Sequence, residues 1–182
     1  MLPKTGTPQE LRPLADLNVI ALCETAAGVL AAPTIATEPN CAALLWGGED
    51  LIADLGGHSS RDPAGRYYPV AQHARSMILL AAAAARIPAI DAVYLDINNP
   101  EGLRRDTQDA VAVGFSAKAC IHPGQVSIVR ELFRPSATEL EWARGVLAAG
   151  EIHAGGVFAH QGRMIDGPVI AQAKRIVSRQ TA

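Results

Sequence analysis

The sequence lacks any apolar segment long enough to cross a membrane. Its longest apolar run, residues 77–85, lies between Arg75 and Arg86, far short of the roughly 20 residues that a transmembrane helix needs. It also lacks an excess of charge of either sign, with a formal net charge of −2. Without a broad basic surface, neither nucleic acid nor an anionic membrane is an expected partner. We expect small molecules or other subunits instead.

Cysteine is scarce and irregularly placed. The three cysteines, Cys23, Cys41 and Cys120, are an odd number in apolar surroundings and lack the spacing of metal ligands. This pattern argues against a structural zinc site. The first residues of the chain show no signal-peptide pattern. Together these absences predict a reduced, cytoplasmic protein.

The residues that are present alternate between short apolar and longer amphipathic segments. Hydrophobic residues make up 49% and charged residues 19% of the 182-residue chain, an ordinary globular composition with one substantial core. The alternation favours parallel β/α units, with loops expected at residues 150–156 and 163–167. The predicted strands span residues 19–22, 43–46, 92–95 and 118–121, and the predicted helices span residues 27–37, 70–85, 100–113, 124–133, 139–149 and 169–179.

The number of predicted strands is too small for a closed barrel. Four strands are evident, and residues 1–3 resemble the end of a fifth. A closed (β/α)₈ barrel needs eight. Either the sheet is open, or the chain lacks the first part of a barrel.

Two acidic residues follow neighbouring predicted strands. Glu24 comes after the strand at residues 19–22 and Asp50 after the strand at residues 43–46, with a separation of 50 − 24 = 26 residues. This interval accommodates one helix and the next strand, so parallel pairing would place the strand ends roughly 4.8 Å apart. Two carboxylates so placed can share one hard divalent cation, with water and substrate oxygens completing its octahedron. Catalytic groups of such folds gather at this face.

A structural interpretation of the same two acids stays open. Glu24 can be a helix N-terminal acid and Asp50 a helix cap, because the helix dipole favours negative charge there. The adjacent Gly47 and Gly48 favour the site interpretation, since glycines let a ligand approach the backbone closely. The residues alone do not decide between these two interpretations.

Other polar residues have both a functional and a structural interpretation. Asp96, at the end of the third predicted strand, either reaches the water shell of a metal or anchors the turn. His122 is either a base or a hydrogen-bonded turn residue. Lys4 can in principle form a Schiff base, as a lysine does in metal-free aldolases, but the paired carboxylates make that role unnecessary. Arg61 and Arg66 either meet the phosphates of a cofactor-like substrate or are solvated loop charges.

Several different short motifs follow one another along almost the whole chain. They include the segments that carry Glu24 and Asp50, a Leu-Pro-Lys at the start and a Gly-Arg-Met-Ile-Asp-Gly-Pro near the end. The motifs occupy residues 2–4, 23–28, 46–56, 94–97, 114–115, 120–126 and 161–168.

This set of motifs resembles the HpcH/HpaI aldolase and citrate lyase beta-subunit family, and in particular its stand-alone acyl-CoA lyases. The resemblance implies a (β/α)₈ barrel of the TIM type, here incomplete (strands 4–8) and followed by a C-terminal helical extension. It assigns residues 1–135 to the partial barrel and residues 136–182 to the extension. Mg²⁺ is the implied cofactor, and Glu24 and Asp50 are its implied ligands.

The resemblance also implies a reaction. Family members of this type cleave β-hydroxyacyl thioesters, such as citramalyl-CoA, malyl-CoA or a citryl thioester, to an acyl thioester and a 2-keto acid. Asp166, contributed by a neighbouring subunit, corresponds to the catalytic acid/base, so a homotrimer or hexamer is expected. The substrate is expected to bind at Glu24 and at the turn of Gly47, Gly48 and Glu49.

The sequence departs from the family pattern at its start. Residues 1–4 match the end of the family's fourth strand, so the N-terminal third, with the arginine that clamps the substrate carboxylate, has no counterpart. Three explanations are open: a misassigned coding start, a split subunit completed by an N-terminal chain, and a degenerate remnant. The last two explanations imply an alternative function, in which the chain is a non-catalytic or split subunit that keeps the metal site. A third possible function, that of an aldolase acting on a free 2-keto acid, is less consistent with the motif around Asp166.

Overall fold

The protein divides into two compact units, Met1–Val129 and Arg130–Ala182. The computed structural model describes residues 1–153 and 156–180. The division falls within one helix, Pro123–Phe133. Each unit has its own buried apolar cluster.

The first unit is built from alternating strands and helices. A short 3₁₀ helix, Pro8–Leu14, precedes the first full strand. The elements that follow are β1 (Val19–Cys23), α1 (Ala26–Ile35), β2 (Cys41–Trp46), α2 (Gly48–Asp54), α3 (Pro69–Ala85), β3 (Ala89–Asp91), α4 (Pro100–Val113), β4 (Ala117–Lys118) and α5 (Pro123–Phe133).

The four strands form one parallel sheet in the order β1-β2-β3-β4. Leu2 adds a parallel bridge to Ala21 on the outer side of β1, as the predicted fifth strand end requires. Each strand lies beside its predecessor in the sequence, which is the topology of a barrel wall. Since the strands are parallel, their C-terminal ends meet at one edge.

Helix boundaries follow from local capping chemistry. Thr25 caps α1, because its hydroxyl accepts a hydrogen bond from the Gly28 N–H at 3.1 Å. Asn99 caps α4 in the same way, with Pro100 in its first turn. Gly114 ends α4 in the left-handed region, with φ 109°, a conformation that glycine adopts without strain.

The alanine-rich helix α3 is a core helix. Its buried face includes Ala71, Ala74, Ala81 and Ala82 as well as Ile78. Small side chains on this face let the helix lie close to its neighbours, and burial of their methyl groups contributes to stability. Among the residues that the structure describes, no helix is both long and apolar enough to cross a membrane, α3 included.

The third and fourth strands differ from the prediction. The third was predicted at residues 92–95 but lies at Ala89–Asp91, and the fourth was predicted at residues 118–121 but lies at Ala117–Lys118. The observed strands contain buried Asp91 and Lys118. A charge within a buried strand is expensive unless it is paired, and the partners that permit it are distant in the sequence.

The described residues of the second unit include a hairpin and the helices on either side of it. Its elements are α6 (Ala137–Ile152), β5 (Phe158–His160), β6 (Arg163–Ile165) and α7 (Gly167–Ser178). Ser136 and Glu139 form a reciprocal capping box at the start of α6. Two loop predictions need correction: residues 163–165 pair with β5, and α6 extends through Ile152 into the segment predicted as the loop 150–156. Residues 154–155 of that segment lie outside the described residues.

Candidate metal centre

Glu24 lies directly after β1 and is buried. The last pair of the β1–β2 register is Cys23 with Trp46, so Glu24 and Gly47 continue from neighbouring positions. The side chain is only 6% exposed, and Oε1 accepts a hydrogen bond from the Lys4 N–H at 3.0 Å. Burial raises the pKa of the Glu24 carboxyl above its ordinary value; the Lys4 hydrogen bond opposes this shift and nearby Asp50 adds to it.

Asp50 follows the neighbouring strand, β2, and also lies beside Lys4. It lies in the first turn of α2, the helix that begins directly after β2. Its side chain is 55% exposed, and Oδ1 lies 4.0 Å from Nζ of Lys4. Lys4 therefore contacts Glu24 through its N–H and Asp50 through its ammonium group; these two acids are hereafter the acidic pair.

Gly47 and Gly48 allow the turn to lie against the acidic pair. A Cβ atom at Gly47 would meet Cβ and Oε2 of Glu24 at 2.9 Å, closer than side chains tolerate. With φ −125°, the conformation of Gly47 does not require glycine, so the requirement is one of space. At Gly48 a Cβ would meet the Trp46 ring at 3.3 Å.

The other two predicted site residues have partners of their own. The Glu49 carboxylate accepts a hydrogen bond from the Ser60 hydroxyl, so its side chain is engaged by the loop after α2. Asp166 caps α7 by accepting a hydrogen bond from the Val169 N–H at 3.2 Å. It is partly buried within the second unit.

Among the polar residues near the site, the predicted placement of Asp96 was wrong. Asp96 does not end a strand; it lies in the exposed segment after β3, where it accepts a hydrogen bond from the Asn98 N–H. His122 accepts from the Gly124 N–H, which is the structural alternative. Asp54 lies at the end of α2 and accepts from the Ala26 N–H at 2.8 Å, a contact that ties α2 to the start of α1.

A second charged group contacts Trp46, the last residue of β2, and was not predicted. Asp91, fully buried, accepts hydrogen bonds from Trp46 Nε1 at 2.7 Å, Arg75 Nε at 2.9 Å and Lys118 Nζ at 3.1 Å. Burial would raise the pKa of Asp91, but Lys118 and Arg75 hold it below its ordinary value. Through Trp46, this group also fixes the residue immediately before the glycine turn.

The same network extends to the loop that follows α2. Arg61 binds Asp106 at 2.7 Å and stacks on Tyr67, with its guanidinium carbon 3.6 Å from the ring centre. Lys118 also binds Asp106 at 2.7 Å. The Asp91 cluster comprises Asp91, Asp106, Asp109, Arg61, Arg75 and Lys118.

The two predicted loop arginines thus have structural partners. Arg61 belongs to the Asp91 cluster. Arg66 binds Asp62 at 2.8 Å and is largely exposed. These contacts favour the structural interpretation of both side chains.

The donors of the acidic pair fit a hard divalent cation. Carboxylate oxygens are the ligands that Mg²⁺ and Ca²⁺ prefer, and Mg²⁺ characteristically uses one or two carboxylates with water in its remaining positions. Within residues 1–153 and 156–180, no group of three or more histidine, cysteine, aspartate or glutamate side chains is placed to hold a metal.

Cys23, directly before Glu24, is a buried thiol. Burial, followed by the proximity of Cys41 and Glu24, raises the pKa of its thiol to about 12. A thiol with such a pKa is protonated at neutral pH and therefore unreactive. Cys23, Cys41 and Cys120 are all free thiols.

Fold and site together define a parallel β/α-barrel protein with an acidic pair at the C-terminal strand ends. The HpcH/HpaI aldolase/citrate lyase family matches residues 2–123. The chain belongs to this family, which confirms the resemblance inferred from its motifs.

Curated relatives match over nearly the whole chain. A citrate lyase subunit beta-like protein of Mycobacterium tuberculosis is 49% identical over 179 residues, which cover 98% of this chain and 65% of the relative. The mitochondrial citramalyl-CoA lyase of Mus musculus is 34% identical over 208 residues, covering 100% of this chain and 60% of the relative. The chain thus spans about two thirds or less of the length of these relatives.

Solved structures confirm the fold. The crystal structure of the protein CitE from Mycobacterium tuberculosis, in complex with magnesium, acetoacetate and coenzyme A, matches with a TM-score of 0.92 at 48% identity. The match covers 100% of this chain and 68% of that chain. The predicted incomplete (β/α) barrel is therefore correct.

Proposed function

We propose that this chain forms the metal-binding part of a magnesium-dependent carbon–carbon lyase. Its substrate is a β-hydroxyacyl thioester such as citramalyl-CoA, malyl-CoA or a citryl thioester, cleaved to an acyl thioester and a 2-keto acid. The observation that carries the proposal is the convergence of Glu24 and Asp50 from consecutive parallel strands. Relatives named for citramalyl-CoA and malyl-CoA chemistry support the substrate class.

The acidic pair would hold the cation. Magnesium bound there would polarise the hydroxyl and carboxylate oxygens of the substrate, as Lewis-acid metals do. Glu24 is the buried, fixed ligand, because its carboxylate already accepts the Lys4 N–H. Asp50 is half exposed and so faces the side from which substrate arrives. The bound magnesium in the CitE structures supports this assignment.

The turn after β2 would orient the substrate carboxylate. The first amides of a helix lack intrahelical acceptors and carry partial positive charge. We assign this role to the backbone of Gly47, Gly48 and Glu49, since the Glu49 side chain is bound by Ser60. Glu24 borders the same space.

Asp166 would exchange the proton at the carbon that leaves as an enolate. Carbon–carbon cleavage of the thioester leaves a carbanion equivalent that must be protonated, and a carboxylic acid is suited to that transfer. We propose that Asp166 reaches the acidic pair of a neighbouring subunit, in a homotrimer or hexamer. Light scattering that finds only monomers during turnover would contradict this arrangement.

The direct test is release of a keto acid from citramalyl-CoA or malyl-CoA. Lactate dehydrogenase and NADH report pyruvate or glyoxylate as it forms. We expect Mg²⁺-dependent release that falls at least about 100-fold in Glu24→Gln and Asp50→Asn, because each removes a charged metal ligand. Asp16→Asn is the matched control and retains activity, since Asp16 is exposed and lies before β1, whereas Glu24 follows the other end of that strand.

A second candidate is a non-catalytic or split subunit that keeps the metal site. It is favoured by the sheet itself: within the described residues, β4 forms one edge and the segment at Leu2 the other. Exposed strand edges invite pairing with another chain. Magnesium binding without keto-acid release, together with capture of a complementing chain, would favour this candidate over the lyase.

A further inference from the structure

Lys4 has a backbone conformation that its residue type disfavours. Its φ is 50°, in the left-handed region where a side chain with a Cβ is strained. Such strain persists where the surroundings enforce it, and it concentrates at functional sites. The residue lies in the segment that leads from the Leu2 bridge into the first unit.

The strain comes from one extra residue in the ladder beside β1. Leu22 donates to the Leu2 carbonyl, and a regular parallel ladder would then have residue 4 donate to the Leu22 carbonyl. Thr5 makes that hydrogen bond instead, at 3.0 Å. The irregularity releases the Lys4 N–H from the ladder, and this N–H donates to Glu24. Bulges of this kind re-aim groups next to active sites.

Lys4 therefore contacts both members of the acidic pair. Its N–H binds Glu24 at 3.0 Å, and its Nζ lies 4.0 Å from Asp50. An exposed ion pair alone contributes little to stability, so stability does not explain a strained residue here. The two other lysines lie elsewhere: Lys118 is buried in the Asp91 cluster, and Lys174 is exposed on α7.

We propose that Lys4 is a positioning residue that couples cation binding to substrate binding. This inference rests on the proposed function. The ammonium serves as a counter-cation for the acidic pair and repels a divalent ion that binds there alone. An anionic substrate neutralises the ammonium, so the cation binds tightly only together with the substrate. The strained backbone holds Glu24 in place through its N–H.

Calorimetric titration of Mg²⁺ tests the coupling, with and without saturating pyruvate as the anion. We expect Lys4→Met to bind Mg²⁺ alone about tenfold more tightly, because a like charge a few ångströms away is removed. The gain that pyruvate produces should shrink by the same factor, as linkage requires. Lys4→Arg keeps the charge and should behave like the wild type, as should the control Lys174→Met.

Lys4→Gly separates the charge from the backbone. Glycine adopts positive φ freely, so this variant retains the N–H and loses only the ammonium. We expect it to match Lys4→Met in Mg²⁺ affinity. Equal Mg²⁺ affinity in Lys4→Met and the wild type, or an undiminished effect of pyruvate, would overturn the proposal.

A second measurement keeps the inference separate from the lyase proposal. In urea unfolding without metal, Lys4→Met should have a slightly lower midpoint than Lys174→Met, because the acidic pair loses the small stabilisation of its exposed ion pair with Lys4. If the wild type bound no Mg²⁺, the proposed function would fail, whereas this midpoint would still report the counter-cation role. Equal midpoints in the two variants would then refute that role as well.

Discussion

The acidic pair and the Asp91 cluster are both charged groups on one sheet, yet they are compensated differently. The Asp91 cluster sets three acids against three bases, so its charges balance. The acidic pair has two carboxylates and one exposed lysine. Charges that serve only the fold are neutralised internally, because a buried unpaired charge is costly. At the acidic pair, one negative charge is left for a cation from outside.

The pKa directions express the same contrast. The pKa of Glu24 is raised, by burial and by Asp50, whereas cationic partners hold the pKa of Asp91 down despite its burial. Perturbed carboxyls in a surface site are candidates for function. A buried carboxyl with a lowered pKa in a balanced network is better explained by structure.

Removing the central acid of the Asp91 cluster should have the largest effect. Asp91→Asn leaves Arg75 and Lys118 buried without their shared counter-charge, and we expect a loss of about 3–5 kcal/mol in unfolding free energy. Urea unfolding followed by Trp46 fluorescence, in a Trp142→Phe background, measures it. Asp16→Asn is the control and should change stability by less than about 0.5 kcal/mol. A similarly small loss in Asp91→Asn would remove the contrast between the two groups.

A smaller effect, confined to metal binding, is expected at the turn beside the acidic pair. In Gly47→Ala, the added methyl group would meet the Glu24 carboxylate at 2.9 Å. We expect Mg²⁺ affinity to fall on the order of tenfold, since ligand geometry is disturbed while charge is retained. Gly6→Ala, where the nearest atom would be 3.7 Å away, is the control. Unchanged affinity in Gly47→Ala would mean that Glu24 is not a ligand.

The smallest expected effect is a pH dependence of opposite sign at the two groups. Because the pKa of Glu24 is raised in the folded state, this group favours folding at low pH, and that contribution is lost as pH rises through its folded pKa. Because the pKa of Asp91 is lowered, its contribution is present at neutral pH and is lost as pH falls below its unfolded value. Unfolding midpoints at several pH values, for the wild type and Glu24→Gln, measure the contribution of Glu24.

Glu24→Gln should remove the pH dependence of the unfolding midpoint that Glu24 causes. The loss of stability at low pH that Asp91 causes should remain. Mg²⁺ affinity of the wild type should fall as pH falls, since only the ionised Glu24 binds the cation. A profile identical in wild type and variant would show that Glu24 is not perturbed.

The acidic pair was predictable because its signal is local. Glu24 follows its apolar strand directly, and Asp50 follows the next apolar strand after the short turn that contains Gly47 and Gly48. Parallel pairing of β1 and β2 then sufficed to bring them together. The family resemblance added the metal and the substrate class, which the spacing alone leaves open.

The Asp91 cluster was not predictable because its contacts are long-range. Asp91 is 16 residues from Arg75 and 27 from Lys118 in the sequence. Without its partners, each of these charges would be unfavourable in a buried position. The prediction therefore began the third strand after Asp91, and it placed Lys118 at the start of the fourth strand rather than at its end. The bulge at Lys4 was missed for a similar reason, since nothing in Leu-Pro-Lys indicates a positive φ.

The central claim is that Glu24 and Asp50 together bind one divalent cation. Isothermal titration of Mg²⁺ into the wild type, Glu24→Gln, Asp50→Asn and the control Asp16→Asn tests it most directly. One Mg²⁺ per site in the wild type and control, with affinity lost in both acidic-pair variants, is the predicted result. Undiminished Mg²⁺ binding in either acidic-pair variant would contradict the claim.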